Sequence, residues 1–454
     1  MNTDICSCEI SLSDRDALDA WNGVVLGVLS HGQVTGEHLT RLISLAPDFA
    51  MGHAMKGLAC LMLGRNEMVA PAHAANLEAQ RALKLGGATR RERLWCEALQ
   101  NWLDRKPSQS IARMEETLVL NRADTISMKL SHGIRFMLGD NFGMLRSVER
   151  VLDAHGAEHP LFGYVLGCRA FALEETGDYQ AAERAGLQGL QYAKDDAWGL
   201  HAVAHVYDMT HQTHSGIDLI DRNADAWGHC NNFRFHVWWH KALLHLDQGE
   251  IDAVLDLYDT KVRDDRTDDY RDFSNASSLL MRLELEGVDV GDRWTELANL
   301  AESRTEDGSL TFADMHYMLA LIGDTRPDAV ARITLSVARN ANQGGDMSDV
   351  MRAPGVGTAQ GLAAFGEAQY DTAFSHLKAA RPHFQSMGGS HAQRDVFERL
   401  TIEAGLRAGR LVEAETLIRA RSAMRNGAED AFAASRLAQI AELQSFSASS
   451  TAAE

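Results

Sequence analysis

Leu161-Phe-Gly-Tyr-Val-Leu-Gly-Cys-Arg-Ala170-Phe-Ala-Leu-Glu-Glu-Thr-Gly177-Asp-Tyr-Gln-Ala-Ala182-Glu-Arg-Ala-Gly-Leu-Gln-Gly-Leu-Gln-Tyr192 decides the fold class. Apolar residues from Leu161 to Glu175 recur at helical spacing, Gly177-Asp178-Tyr179 makes a turn, and Ala182 to Tyr192 resumes the same period. Small side chains at Ala170 and Ala182 let the two helices approach closely. The unit is a helical hairpin of tetratricopeptide type.

The hairpin recurs along the chain. Ala242 to Leu246, Gln248-Gly249-Glu250 and Val254 to Tyr258 form a second, its turn marked by a glycine suited to a helix C-terminus. Gly361 to Phe365 with Tyr370, Ala373, Leu377 and Ala380, ending at Pro382, form a third, and Leu400 to Leu406, Ala408-Gly409-Arg410 and Ala414 to Arg421 a fourth. Upstream, helices are predicted over 16–30, 37–44, 50–63, 74–85, 91–102, 111–120, 123–138 and 144–153. Lys261 to Asp272, Arg304 to Ser309 and Asn340 to Gly357 read as loops that line or cover a concavity. Because the repeats are unevenly spaced, they predict an all-α, irregular tetratricopeptide-like α-solenoid curved around a central pocket, rather than a regular peptide-binding array.

Composition agrees. The chain has 454 residues, 45% hydrophobic and 24% charged, with only seven prolines. A net charge of −19 without a basic patch excludes electrostatic capture of nucleic acid or anionic lipid. No stretch approaches the ~20 apolar residues of a membrane span. The six cysteines do not form a disulfide framework and suit a reducing cytoplasm. Cys6-Ser-Cys8 is expected as an exposed pair in a flexible leader, residues 1–15, without a signal peptide. Residues 16–440 are expected to form one repeat domain and the Ser/Ala-rich 441–454 a disordered tail.

Several blocks resemble the tetratricopeptide repeat protein 38 family: Ala170-Phe171-Ala172-Leu173-Glu174-Glu175, Trp198-Gly199-Leu200-His201-Ala202-Val203-Ala204-His205-Val206, and Trp238-Trp239-His240-Lys241-Ala242-Leu243. Leu257-Tyr258-Asp259, Gly291-Asp292-Arg293-Trp294 and the run Gly388-Gly389-Ser390-His391-Ala392-Gln393-Arg394-Asp395-Val396-Phe397 extend the resemblance over roughly 17–421. It implies a curved helical-repeat protein and little chemistry. The chain departs from the family pattern after Asp208, where His211-Gln212 replaces a Gly-Arg pair, and at Asn275, where relatives carry Asp.

The functional signal lies in His201, His205, His211, His214, His229, His236, His240 and His245, out of 19 histidines in the chain. His201-Ala-Val-Ala-His205 and His236-Val-Trp-Trp-His240 each set two imidazoles one turn apart on a helix face, and Asp208 extends the first face. Such pairs can ligate a metal. A zinc protease is excluded, because Ala202 replaces the Glu of HExxH. A two-His, one-carboxylate site through Asp208 is one reading. A histidine acid–base pair oriented by Asp208 is another. Buried histidines that merely satisfy backbone groups are the third.

Packing of helices 198–209 and 233–246 would converge four imidazoles with Trp198 and Trp239. His316 is a further candidate. His391, Arg394 and Asp395 open a helix after Gly388-Gly389 and suit an anionic group. Alternatively, Ser390 caps that helix and Arg394 pairs with Asp259 or Asp395. The candidate catalytic residues are thus His201, His205, Asp208 and His240. Trp198, His236, Trp239, His316, His391, Arg394 and Asp395 are the candidate ligand-binding set. The favoured function is binding of a small molecule or peptide end; a hydrolase or lyase, metal-dependent or not, is the alternative. Cofactor and metal identity stay open, and a homodimer is compatible with the sequence.

Overall fold

A computed structural model describes residues 2–451, with side chains to residue 445. Apart from a two-residue antiparallel pairing of Asn2–Thr3 with Glu9–Ile10, its regular structure is helical. The predicted hairpin is Phe162–Glu174 packed on Tyr179–Tyr192. Gly177 takes the left-handed conformation at φ +88°, which its missing Cβ permits, and the Asp178 side chain accepts the Ala181 N–H to cap the second helix. Ala170 and Ala182 are fully buried at the crossing. The backbones come close enough that a Cβ on Gly163 would stand 2.8 Å from the Gly189 carbonyl oxygen.

Ala50–Met62 with Val69–Leu85, Arg90–Leu103 with Pro107–Leu120, Val356–Gly366 with Tyr370–Ala380, and His391–Arg407 with Leu411–Met424 repeat the arrangement. Helices beyond the hairpin stack on it as well, Ala197–Met209 lying against Phe162–Glu174. The result is an all-α helical solenoid.

Its ends fold back on its middle. The Asn231 N–H donates to the His31 carbonyl at 2.8 Å, Gln385 Nε2 to the Gly139 carbonyl at 2.8 Å, and the Tyr179 hydroxyl to the Met424 carbonyl at 2.6 Å. Ser108 N–H reaches Asp346 Oδ2 at 2.7 Å.

Two expectations are corrected. Cys6 and Cys8 are buried rather than exposed, next to Asp4, which takes the Trp21 indole N–H at 2.9 Å and shares Arg91 with Asp124 at 2.6 and 2.7 Å. The Asn340 to Gly357 loop contains a short helix, Asp346–Val350, and leads directly into the next at Val356. The last described helix is Ala431–Thr451, and residues 452–454, the end of the expected tail, lie outside the described residues.

Candidate functional site

His201 and His205 project from Ala197–Met209, and His236 and His240 from Phe233–Asp247. The i, i+4 spacing puts each pair on one helix face, and the packing of the helices turns the two faces together. The four Nε2 atoms form a chain. His205 to His201 is 2.8 Å, His201 to His236 is 3.0 Å, and His236 to His240 is 3.1 Å. One ligand atom from each of the four lies within 4.8 Å of all the others. His201, His205 and His240 are buried and His236 is nearly so.

The outward nitrogens of two rings meet acceptors. His236 Nδ1–H donates to Asn275 Oδ1 at 2.8 Å, and His205 Nδ1 stands 3.6 Å from Glu174 Oε2. That arrangement leaves Nε2 as the lone-pair nitrogen. Aromatic rings hold the imidazoles in place: Trp239 stacks on His236 at 5.2 Å and 17°, and Phe171 on His201 at 5.5 Å and 20°. Trp198 lies 5.1 Å from His201.

Burial keeps all four imidazoles neutral. It lowers the pKa of His205 to about 3 and of His236 to about 4, and it holds His201 and His240 well below the usual value, with the neighbouring histidines adding to the effect. A neutral imidazole carries one N–H. His201 and His236 each make two close Nε2 contacts, yet an Nε2 is either donor or acceptor and not both. Hydrogen bonds among these rings would therefore have to be shared, whereas one cation accepts all four lone pairs at once. Neutral imidazole is also the ligating form.

The remaining predicted residues lie elsewhere. Asp208 faces away from the histidines; its Oδ1 takes Arg425 Nη2 at 3.2 Å, and its carbonyl takes the same nitrogen at 2.6 Å. His316 donates from Nδ1 to the Phe312 carbonyl at 2.7 Å and sits between Phe312 and Phe397, outside the cluster. Ser390 does cap the helix His391–Arg407, in a capping box with Gln393. The partner of Arg394 is neither Asp259 nor Asp395 but Glu175, at 3.1 Å.

His391 joins the same carboxylate, its backbone N–H donating to Glu175 Oε1 at 2.7 Å and its Nε2–H to the Glu175 carbonyl at 3.1 Å. Asp395 belongs to a third group, with Arg421 and Arg399 at 2.5 and 2.7 Å. Thus His391 and Arg394 come together, and Asp208 and Asp395 share an arginine network, while neither set reaches the imidazoles.

Sequence reasoning did not single out Glu174, beside His205, or Glu175, beside His391 and Arg394. Their signal was available: two adjacent acids at the end of an otherwise apolar helix. Glu175 also accepts Asn141 Nδ2 at 2.8 Å, so its charge and lone pairs are already committed. The trio Glu174, Glu175 and His391 is therefore a poorer cation site than the four histidines, despite its close ligand atoms. Glu174 is different. Both its oxygens are buried without a hydrogen bond, and burial together with Glu175 pushes its pKa well up.

Two cavities flank the centre. One of about 250 Å³ is lined by Arg381, His391, Arg394, Arg421 and Arg425 among others. The second, of about 210 Å³, is lined by Arg282, Glu286, Asp208 and Phe432 among others. Neither has any of the four histidines in its wall.

No family model matches the chain. Among solved structures, it is similar to yeast Tom70 with a TM-score of 0.38 and 13% identity over 95% of this chain and 90% of that one. It is also similar to Naa15 in the Naa15/Naa10 complex bound to HypK-THB, with a TM-score of 0.23 and 12% identity over 90% of this chain and 64% of that one. Likenesses this remote carry no argument about function. No described helix is long and apolar enough to cross a membrane.

Proposed function

We propose that this is a metal-binding helical-repeat protein, related to the tetratricopeptide repeat protein 38 family, whose centre holds one divalent first-row transition ion through His201, His205, His236 and His240. The observation that carries the reading is the convergence of four Nε2 atoms from two helices, with successive separations of 2.8, 3.0 and 3.1 Å. A tetrahedral zinc–imidazole site with bonds of 2.0–2.1 Å spaces its nitrogens by about 3.3 Å, close to the three successive separations. Imidazole suits zinc, copper, nickel and iron alike; zinc fits best where four nitrogens surround a point. Asn275 is the outer partner that orients His236, and Glu174 Oε2 lies 3.6 Å from His205 Nδ1.

A set of four protein ligands away from the cavities is the pattern of a closed site, which ties elements together, rather than a hydrolytic site with an open position. Binding is accordingly favoured over the hydrolase or lyase alternative. The ion joins Ala197–Met209 to Phe233–Asp247 and so fixes the middle of the solenoid. Any small-molecule or peptide ligand is assigned to the flanking cavities, not to the histidines.

Elemental analysis of protein purified without chelator tests the reading. About one metal ion per chain is expected, falling to near zero in His201→Ala and His240→Ala with helical content preserved. Metal far below one per chain, both as purified and after incubation with zinc, would overturn it.

A further inference from the structure

Beyond Trp239 lies a buried charge that the metal centre does not use. Arg282, on the helix Tyr270–Leu285, is 1% exposed, and its guanidinium lies 5.5 Å from the centroid of the Trp239 ring. It donates to the carbonyls of Ser278 at 3.1 Å and Ala392 at 2.5 Å. The other buried arginines, Arg91, Arg263, Arg394, Arg421, Arg425 and Arg436, each have a carboxylate partner. Among the described residues none pairs with Arg282, and burial lowers its pKa to about 9. A desolvated guanidinium without a counter-ion is costly.

Arg282 forms part of the wall of the 210 Å³ cavity. One helical turn further on, Glu286 lines the same space; one of its oxygens takes Arg436 at 2.8 Å, and the other, Oε1, is buried without a hydrogen bond, its nearest cation Arg399 Nη1 at 3.9 Å. Asp395 and Asp430 also face the cavity but are committed to Arg421 and Arg399. Residues four apart on a helix are surface neighbours, so Arg282 and Glu286 can offer opposite charges to one small zwitterion. The rest of the wall includes Leu243, Leu246, Ile251 and Phe432. At about 210 Å³ the space admits a small metabolite.

We propose that this cavity binds a small aliphatic amino acid, with its carboxylate on Arg282, its ammonium toward Glu286 and its side chain against Leu243, Leu246 and Phe432. This site goes beyond the metal reading and does not depend on it. Because Arg282 lies over Trp239, occupancy changes the environment of an indole as well as the stability of the fold.

The test titrates L-valine, isovalerate (the same skeleton without the amino group) and inorganic phosphate into the full chain, in zinc-loaded and chelator-treated forms, reading melting temperature and tryptophan fluorescence. L-valine is expected to give a saturable rise in melting temperature and a fluorescence change in both forms, with isovalerate weaker by tenfold or more. Arg282→Met should abolish the response without unfolding, since replacing a buried unpaired charge with an apolar side chain is often neutral or stabilising. Ser435→Trp, at an exposed position on the cavity wall, should block entry while leaving Arg282 in place. No saturable response to L-valine, a response retained in both variants, or stronger binding of isovalerate or phosphate than of L-valine would each overturn the assignment.

Discussion

Two polar clusters are buried in the middle of the molecule, and they satisfy their hydrogen bonds in opposite ways. In the network around Arg421, cations and anions alternate. Arg421 reaches Asp395 at 2.5 Å and Asp430 at 2.9 and 2.6 Å, Arg399 joins the same two carboxylates at 2.7 and 3.2 Å, and Arg425 takes Asp208 at 3.2 Å. Three guanidiniums face three carboxylates, and the charges cancel without outside help. The four histidines have no such alternation. Their Nε2 atoms point at one another, and the Nδ1 atoms of His201, His205 and His240 make no hydrogen bond. A complementary set of charges is a structural device, whereas a convergent set of like lone pairs is a recognition device.

The largest effect should come from breaking the complementary cluster. Arg421→Met leaves Asp395 and Asp430 short of their cation, and removing one partner of a buried ion pair costs about 3–5 kcal/mol. Urea denaturation should show that loss, while the metal content per folded chain stays unchanged. Should metal content fall in step with stability, the two clusters are not separable. Next comes the convergent cluster. Zinc added to chelator-treated protein at about a thousandfold over its Kd should stabilise it by roughly 4 kcal/mol. His240→Ala should lose that gain while differing little from wild type when both are metal-free. An equal gain in the variant would remove the histidines from the site.

The two clusters were also unequally legible in the sequence. The histidine face follows from i, i+4 spacing and needs only the packing of two nearby helices, so the convergence of His201, His205, His236 and His240 could be read in advance. Asp208 shares that face by spacing, yet its partner Arg425 lies 217 positions away, and Glu175 and Arg394 are 219 apart. Helical periodicity reports which face a residue occupies and nothing about which distant helix meets it. The same limit explains the leader, where Asp4 is held by Arg91 across 87 positions. The hairpins were legible because Gly177 with Asp178, and Gly409 before Leu411, write both the end of one helix and the start of the next.

A smaller effect sharpens the histidine side. Asn275→Leu removes the acceptor of His236 Nδ1–H, and Glu174→Gln removes the carboxylate next to His205. Loss of such an outer partner weakens metal binding about ten- to a hundredfold. Competition with a zinc chelator should show this at unchanged stoichiometry. Affinity equal to wild type in both variants would mean that the imidazoles need no orientation from outside.

The smallest effect concerns pH and belongs to the arginine network. Arg421 and Arg399 hold the carboxyls of Asp395 and Asp430 well below the usual carboxylate range, against the opposing effect of burial. A depressed folded pKa means that the unfolded chain binds the proton first. The network's contribution is therefore complete above the unfolded value of about 4, declines as pH falls below it, and is gone once the folded carboxyls have protonated. Asp430→Asn should flatten the dependence of unfolding free energy on pH below about 4 and leave its slope between pH 6 and 8 alone. An unaltered acid limb would show that these carboxylates are not what acid titrates, and the contrast between a self-satisfied network and a metal-seeking one would lose its electrostatic half.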